Sequence, residues 1–139
     1  MVKLLVGRKG TGKTKIMVDM ANDSLRNING SIVFINKDHS LTYDLKYRIR
    51  VICMEDFKAV VNTDGMVGFI CGIISQDHDI ETIYIDSILH YRSIKPEDME
   101  QFLAELAKIS EKFGPDFVVS LSADKDDLGD FISRYEVLN

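Results

Sequence analysis

The sequence predicts an α/β fold: a three-layer α/β/α arrangement around a mainly parallel sheet of about five strands, plus an extra edge β segment. Two observations carry that prediction. Short runs rich in β-branched residues alternate with longer segments whose apolar residues recur at helical spacing. The short runs are also apolar almost throughout, as strands are when helices cover both faces of the sheet. No low-complexity linker or internal repeat interrupts the order, and 139 residues are expected to form one domain over residues 1–139.

Val2–Val6 reads as a first buried strand. From Lys13 to Arg26, Ile16, Met17, Met20, Ala21 and Leu25 share one helical face, and Asn27, Asn29 and Gly30 supply the stop. Ser31–Asn36 is a second strand, its valine and isoleucines suited to a pleated surface. Tyr47, Ile49, Val51 and Cys53 alternate with Arg48, Arg50 and Ile52, the pattern of an edge strand with one solvated side. Glu55–Val61 and Asp64–Ser75 read as two helical pieces broken near Asn62–Gly65. Gly68 and Gly72, four apart, are expected to bring one helix face close to the sheet. Ile80–Ile85 is the next strand and ends at Asp86. Pro96 opens a helix with Glu97 and Asp98 in its first turn, a stripe of Met99, Phe102, Leu103, Leu106 and Phe113, and a stop at Gly114–Pro115. Phe117–Ser122 is a further strand. Asp124 caps a short helix through Ile132, and Tyr135–Leu138 forms a last strand.

Composition narrows the function classes. Hydrophobic residues make up 45% and charged ones 28%, ordinary for a soluble domain, and the net charge of −5 argues against a non-specific nucleic-acid binder. Cys53 and Cys71 lack CxxC spacing and are expected to be reduced core residues of a cytoplasmic protein. No apolar run approaches the ~20 residues that span a bilayer, so no membrane is expected. His39 and His78 fall in polar loops without metal-ligand spacing, and no zinc site is inferred from them.

The chemistry concentrates in Gly7-Arg8-Lys9-Gly10-Thr11-Gly12-Lys13-Thr14. Gly7, Gly12, Lys13 and Thr14 fit GxxxxGK[ST], between an apolar strand and an amphipathic helix, the context in which that pattern has a mechanism. Its glycines allow successive N–H groups to converge on an anion at the positive end of a helix. Lys13 would supply a point charge to the outer phosphates, and Thr14 a hydroxyl ligand for Mg²⁺.

On these residues the chain resembles the P-loop NTPases, with Gly7–Thr14 as the Walker A motif. The resemblance implies a Walker B carboxylate at the end of an apolar strand, and Asp86, after Ile83-Tyr84-Ile85, stands in that position. It further points to the additional-strand, RecA-like branch. There another strand separates the two motifs and carries a polar γ-phosphate sensor, which Ser120 or Ser122 would supply. The resemblance thus implies an Mg-ATP-binding protein with weak or partner-dependent ATPase activity. Lys13 and Asp86 would be its catalytic residues, and Thr14 and Asp86 its metal ligands. ATP is expected over GTP, because Asn36-Lys37-Asp38 falls after an early strand and lacks the spacing of NKxD. The water-activating carboxylate of the branch has no counterpart next to Asp86, where Ser87 stands; Glu97 or Asp98 could fold back, and Arg92, Arg134 or His90 could contribute. A non-hydrolysing nucleotide-binding module, or less readily a small-molecule kinase, therefore remains an alternative. A protein partner or a second copy is a possible associate. The cationic stretch Lys46–Arg50 suits an edge strand better than a nucleic-acid surface.

Overall fold

A computed structural model describes residues 1–89 and 91–139. Among them are β1 (Val2–Gly7), β2 (Ser31–Asn36), β3 (Arg50–Cys53), β4 (Ile80–Ile85), β5 (Asp116–Ser122) and β6 (Glu136–Val137). They form one sheet in the order β3-β2-β4-β5-β1-β6, every neighbouring pair parallel. Helices α1 (Lys13–Ser24), α2 (Thr63–Gln76), α3 (Met99–Phe113) and the short α4 (Lys125–Leu128) fill the connections.

The continuous apolar runs are divided between two cores by the two-residue period of a strand. Leu5, Ile32, Phe34, Tyr84 and Val118 pack with Met17, Val18 and Ala21 of α1, and the Phe34 and Tyr84 rings stack at 5.8 Å between centroids. Their neighbours Leu4, Val33, Ile35, Ile83, Phe117 and Val119 join the opposite core with α2 and α3. Helices on both faces of a parallel sheet give the three layers that the sequence predicts.

The third helix buries Met99, Phe102, Leu103 and Leu106 as expected, but Phe113, in its last turn, is exposed. The second helix corrects a prediction. Its buried residues are Met66, Ile70 and Ile74, and a Cβ on Gly68 or Gly72 would meet no atom within 4 Å. The large apolar side chains take the sheet face because they remove far more apolar area from water than a glycine can. Glu55–Val61 is not helical beyond a 3₁₀ turn at Met54–Asp56. The predicted break holds: the Asn62 side chain accepts the Gly65 N–H at 2.8 Å and caps α2, which starts at Thr63.

The edge strand is shorter than its alternation suggests. It pairs only Arg50–Cys53 with Val33–Asn36 of β2, and Tyr47 lies outside it, almost wholly exposed. Cys53 is buried, whereas Cys71 is exposed on α2 and is not the core residue expected. None of the helices in the described residues is long and apolar enough to cross a membrane.

Candidate functional site

Parallel strands deliver their carboxyl ends to one edge of the sheet, and ligands of open α/β sheets bind outside that edge. Here β1 ends at Gly7 and α1 begins at Lys13, so residues 8–12 form a turn at that edge. Gly10 and Gly12 have φ of 87° and 85°, left-handed conformations that a Cβ would strain. Among the described residues, no backbone or side-chain acceptor takes up the N–H groups of residues 9–12. The turn therefore presents donors at the positive end of a twelve-residue helix.

Lys13 opens that helix and is buried, with 5% of its surface exposed. Its Nζ donates to the Arg8 carbonyl at 2.8 Å and to Thr11 Oγ1 at 3.3 Å, curling over the turn. Burial pushes its pKa below the ordinary lysine value, and the nearby Asp86 carboxylate opposes that shift in part.

One residue on, the Thr14 hydroxyl donates to Asp86 Oδ2 at 2.9 Å. Asp86 follows β4, and its N–H donates to the Ile35 carbonyl of β2 at 2.9 Å. Its Oδ1 accepts the Ser120 hydroxyl at 2.5 Å, and Ser120 Oγ accepts the Ser87 N–H at 2.9 Å. Ser120 reaches Asp86 because β5 lies between β1 and β4. Both residues are buried. Each carboxylate oxygen thus has one donor and keeps lone-pair capacity for a cation.

An open cleft of about 470 Å³ lies over this network. Lys9, Gly10, Gly12, Lys13 and Thr14 form one wall, and Asp86, Ser87 and Ser122 also line it. A further wall is Asn36, Lys37, Ser40 and Leu41, from the end of β2 and the loop after it. Asp38 shapes that loop by accepting the Ser40 N–H at 3.0 Å. Sequence reasoning overlooked this wall. Its signal was topological: β2 adjoins β4, so the polar residues ending β2 had to arrive beside Asp86.

An adjoining cleft shares Lys9, Lys37, Ser87 and Ser122 and extends to Arg92. The predicted residues therefore divide. Lys9, Gly10, Gly12, Lys13, Thr14 and Asp86 line the main cleft, whereas Gly7, Arg8 and Thr11 do not. Arg8 turns to Asp124, with Nε 2.9 Å from both carboxylate oxygens and Nη2 2.8 Å from Oδ2. This pairing raises the arginine pKa and lowers that of the aspartate, in each case chiefly through the hydrogen bond. Thr11 donates to the Arg8 carbonyl at 2.8 Å.

Of the outlying candidates, Arg92 reaches the adjoining cleft, while Arg134 lies 3.4 Å from Glu100 and lines neither. Asp98 accepts the Lys95 N–H at 2.9 Å, Glu97 is exposed, and neither carboxylate lines a cleft with Asp86. His90 lies outside the described residues. Ser120 and Ser122, alternatives in the sequence, take different places: one holds Asp86, the other lines the cleft.

A nest of amide donors, a buried ammonium and a hard-oxygen pair at Thr14 and Asp86 fit a polyphosphate with a divalent cation. No curated protein matches the chain. The family model described as RNA helicase matches residues 3–82, more than half the chain, from β1 through the turn into β4. That family is of the P-loop NTPase type, and the parallel sheet fits its fold. The chain belongs to the RNA helicase family.

Proposed function

We propose that this chain binds Mg-ATP in the main cleft and hydrolyses it slowly or only with a partner. Gly7–Thr14 would act as the Walker A motif and Asp86 as the Walker B carboxylate of the additional-strand branch. The single observation that carries this is the Thr14–Asp86 pair at 2.9 Å beside a buried Lys13, joining residues 72 positions apart at the mouth of the glycine turn.

In this reading the amides of residues 9–14 hold the phosphates, Arg8 and Thr11 act through the turn's backbone, and Lys13 swings from its internal acceptors to the outer phosphates. Thr14 and Asp86 would hold the Mg²⁺, which when bound neutralises charge developing on the transferred phosphoryl group. Ser120 keeps the Asp86 carboxylate oriented between its two donors. The slow rate follows from the carboxylates: Asp86 is the only one lining the main cleft among the described residues, and it is already committed to Thr14 and Ser120. Among the described residues, no second carboxylate lines that cleft to orient water.

A second reading makes turnover depend on RNA, as the family's description suggests. Tyr43 and Tyr47 favour it. They are 100% and 96% exposed on the loop that leaves the cleft wall, beside Lys46 and Arg48, and aromatic rings with cations suit stacked single-stranded bases.

Phosphate release from ATP, measured alone and with a single-stranded oligoribonucleotide, separates the two. Slow turnover unchanged by RNA supports the first reading; stimulation of about tenfold or more supports the second. A phosphorylated metabolite in place of free phosphate would make the protein a kinase.

A further inference from the structure

From the juxtaposition of His39 Nε2, Cys53 Sγ and an Asp56 carboxylate oxygen, we infer a zinc-binding site outside the nucleotide cleft. The three ligand atoms lie within 4.8 Å of one another. His39 belongs to the turn after β2, Cys53 ends β3, and Asp56 ends the 3₁₀ turn after that strand. The spacing of 14 and 17 residues matches no local metal motif, which is why the histidine looked isolated in sequence. Parallel pairing of Asn36 with Cys53 brings the two turns together, and the Glu55 N–H donates to the Lys37 carbonyl at 3.1 Å to hold them there.

The donor set is chemically selective. Imidazole nitrogen, thiolate sulfur and carboxylate oxygen are all zinc ligands, and three protein ligands leave a fourth tetrahedral position for water. His39 and Asp56 are exposed and form the mouth, while Cys53 lies buried beneath them. Asp38 and Glu55 add negative potential close by.

A surface ion pair alone would account for His39 Nε2 and Asp56 Oδ1 at 3.0 Å. It would not account for the sulfur placed under the pair. Zinc would bind the Asp56 carboxylate and His39 Nε2, whose proton would shift to Nδ1 or leave to solvent with the thiol proton of Cys53. Bound there, it would fasten the turn at residues 37–41, whose Lys37, Ser40 and Leu41 line the nucleotide cleft.

Cobalt substitution tests the site without reference to nucleotide. The purified protein, stripped with chelator and titrated with Co²⁺, should give a thiolate-to-cobalt charge-transfer band at one equivalent, and Zn²⁺ should displace it. The band should vanish in Cys53→Ser and persist in Cys71→Ser. Competition with a chromophoric chelator should show zinc affinity falling at least about tenfold in His39→Ala and in Asp56→Asn. Asp56→Asn changes one exposed group and guards against a folding artefact. Absence of a cobalt band in the folded wild-type protein, or a band that depends on Cys71 rather than Cys53, would overturn the assignment.

Discussion

Lys13 shows how a residue of the candidate site sets itself against stability. A buried ammonium has lost much of its hydration, and the Arg8 carbonyl and Thr11 hydroxyl replace only part of it. Its folded-state pKa lies below 10.5, so the charged form is disfavoured by folding. The resulting penalty is present at neutral pH and is relieved as pH rises through the depressed folded value toward the unfolded one. Lys13→Met should therefore raise the melting temperature of the nucleotide-free protein, by about 0.5–1 kcal/mol in stability, with the gain shrinking at alkaline pH. The same substitution should abolish nucleotide binding. A variant destabilised at neutral pH would show that the ammonium's internal hydrogen bonds outweigh its burial. Asp86 is built differently, since two hydroxyl donors hold its carboxylate in place. Ser120→Ala removes one donor, so its effect should fall on turnover and Mg²⁺ dependence more than on nucleotide affinity.

Among the elements, two kinds of glycine give opposite predictions. Gly68 and Gly72 sit on the exposed side of α2 with open space around them, and alanine at either should stabilise the helix by about 0.5–1 kcal/mol. A Cβ on Gly30 would lie 2.0 Å from the Asp79 carbonyl oxygen, a clash with backbone. Gly30→Ala should therefore lower stability by more than about 1 kcal/mol, on the scale of other overpacked sites. Urea unfolding of the three variants checks both directions. These cases also mark what the sequence could say. Strands and helices with strong apolar patterns were legible, because burying those residues decides their conformation. The orientation of α2 was not: glycine spacing and the Met66–Ile70–Ile74 spacing both define a helix face, and only the packed sheet shows that area outweighs close approach. Segment 55–61 failed for a local reason, because the Phe57 and Val60 N–H groups donate to the Met54 and Phe57 carbonyls in separate turns, not in a helical ladder.

Across the whole molecule, the carboxyl edge of one parallel sheet gathers residues that are far apart in the chain. The ends of β1, β2, β4 and β5 bring the glycine turn, Asn36, Asp86 and Ser122 to a single cleft. The turn and the aspartate were legible because each carries its own chemistry on its own element. The β2 wall and the His39–Cys53–Asp56 cluster were not, because strand order assembles them and spacing does not encode it. The proposed function depends most heavily on a cation shared between the cleft's nucleotide and the Thr14–Asp86 pair. Calorimetric titration of ATP into wild-type protein and Asp86→Asn, each with and without Mg²⁺, tests it most directly. Wild-type affinity should strengthen about tenfold or more with Mg²⁺, and that gain should vanish in Asp86→Asn. Equal affinities in all four titrations, or a gain that survives the substitution, would contradict a shared cation.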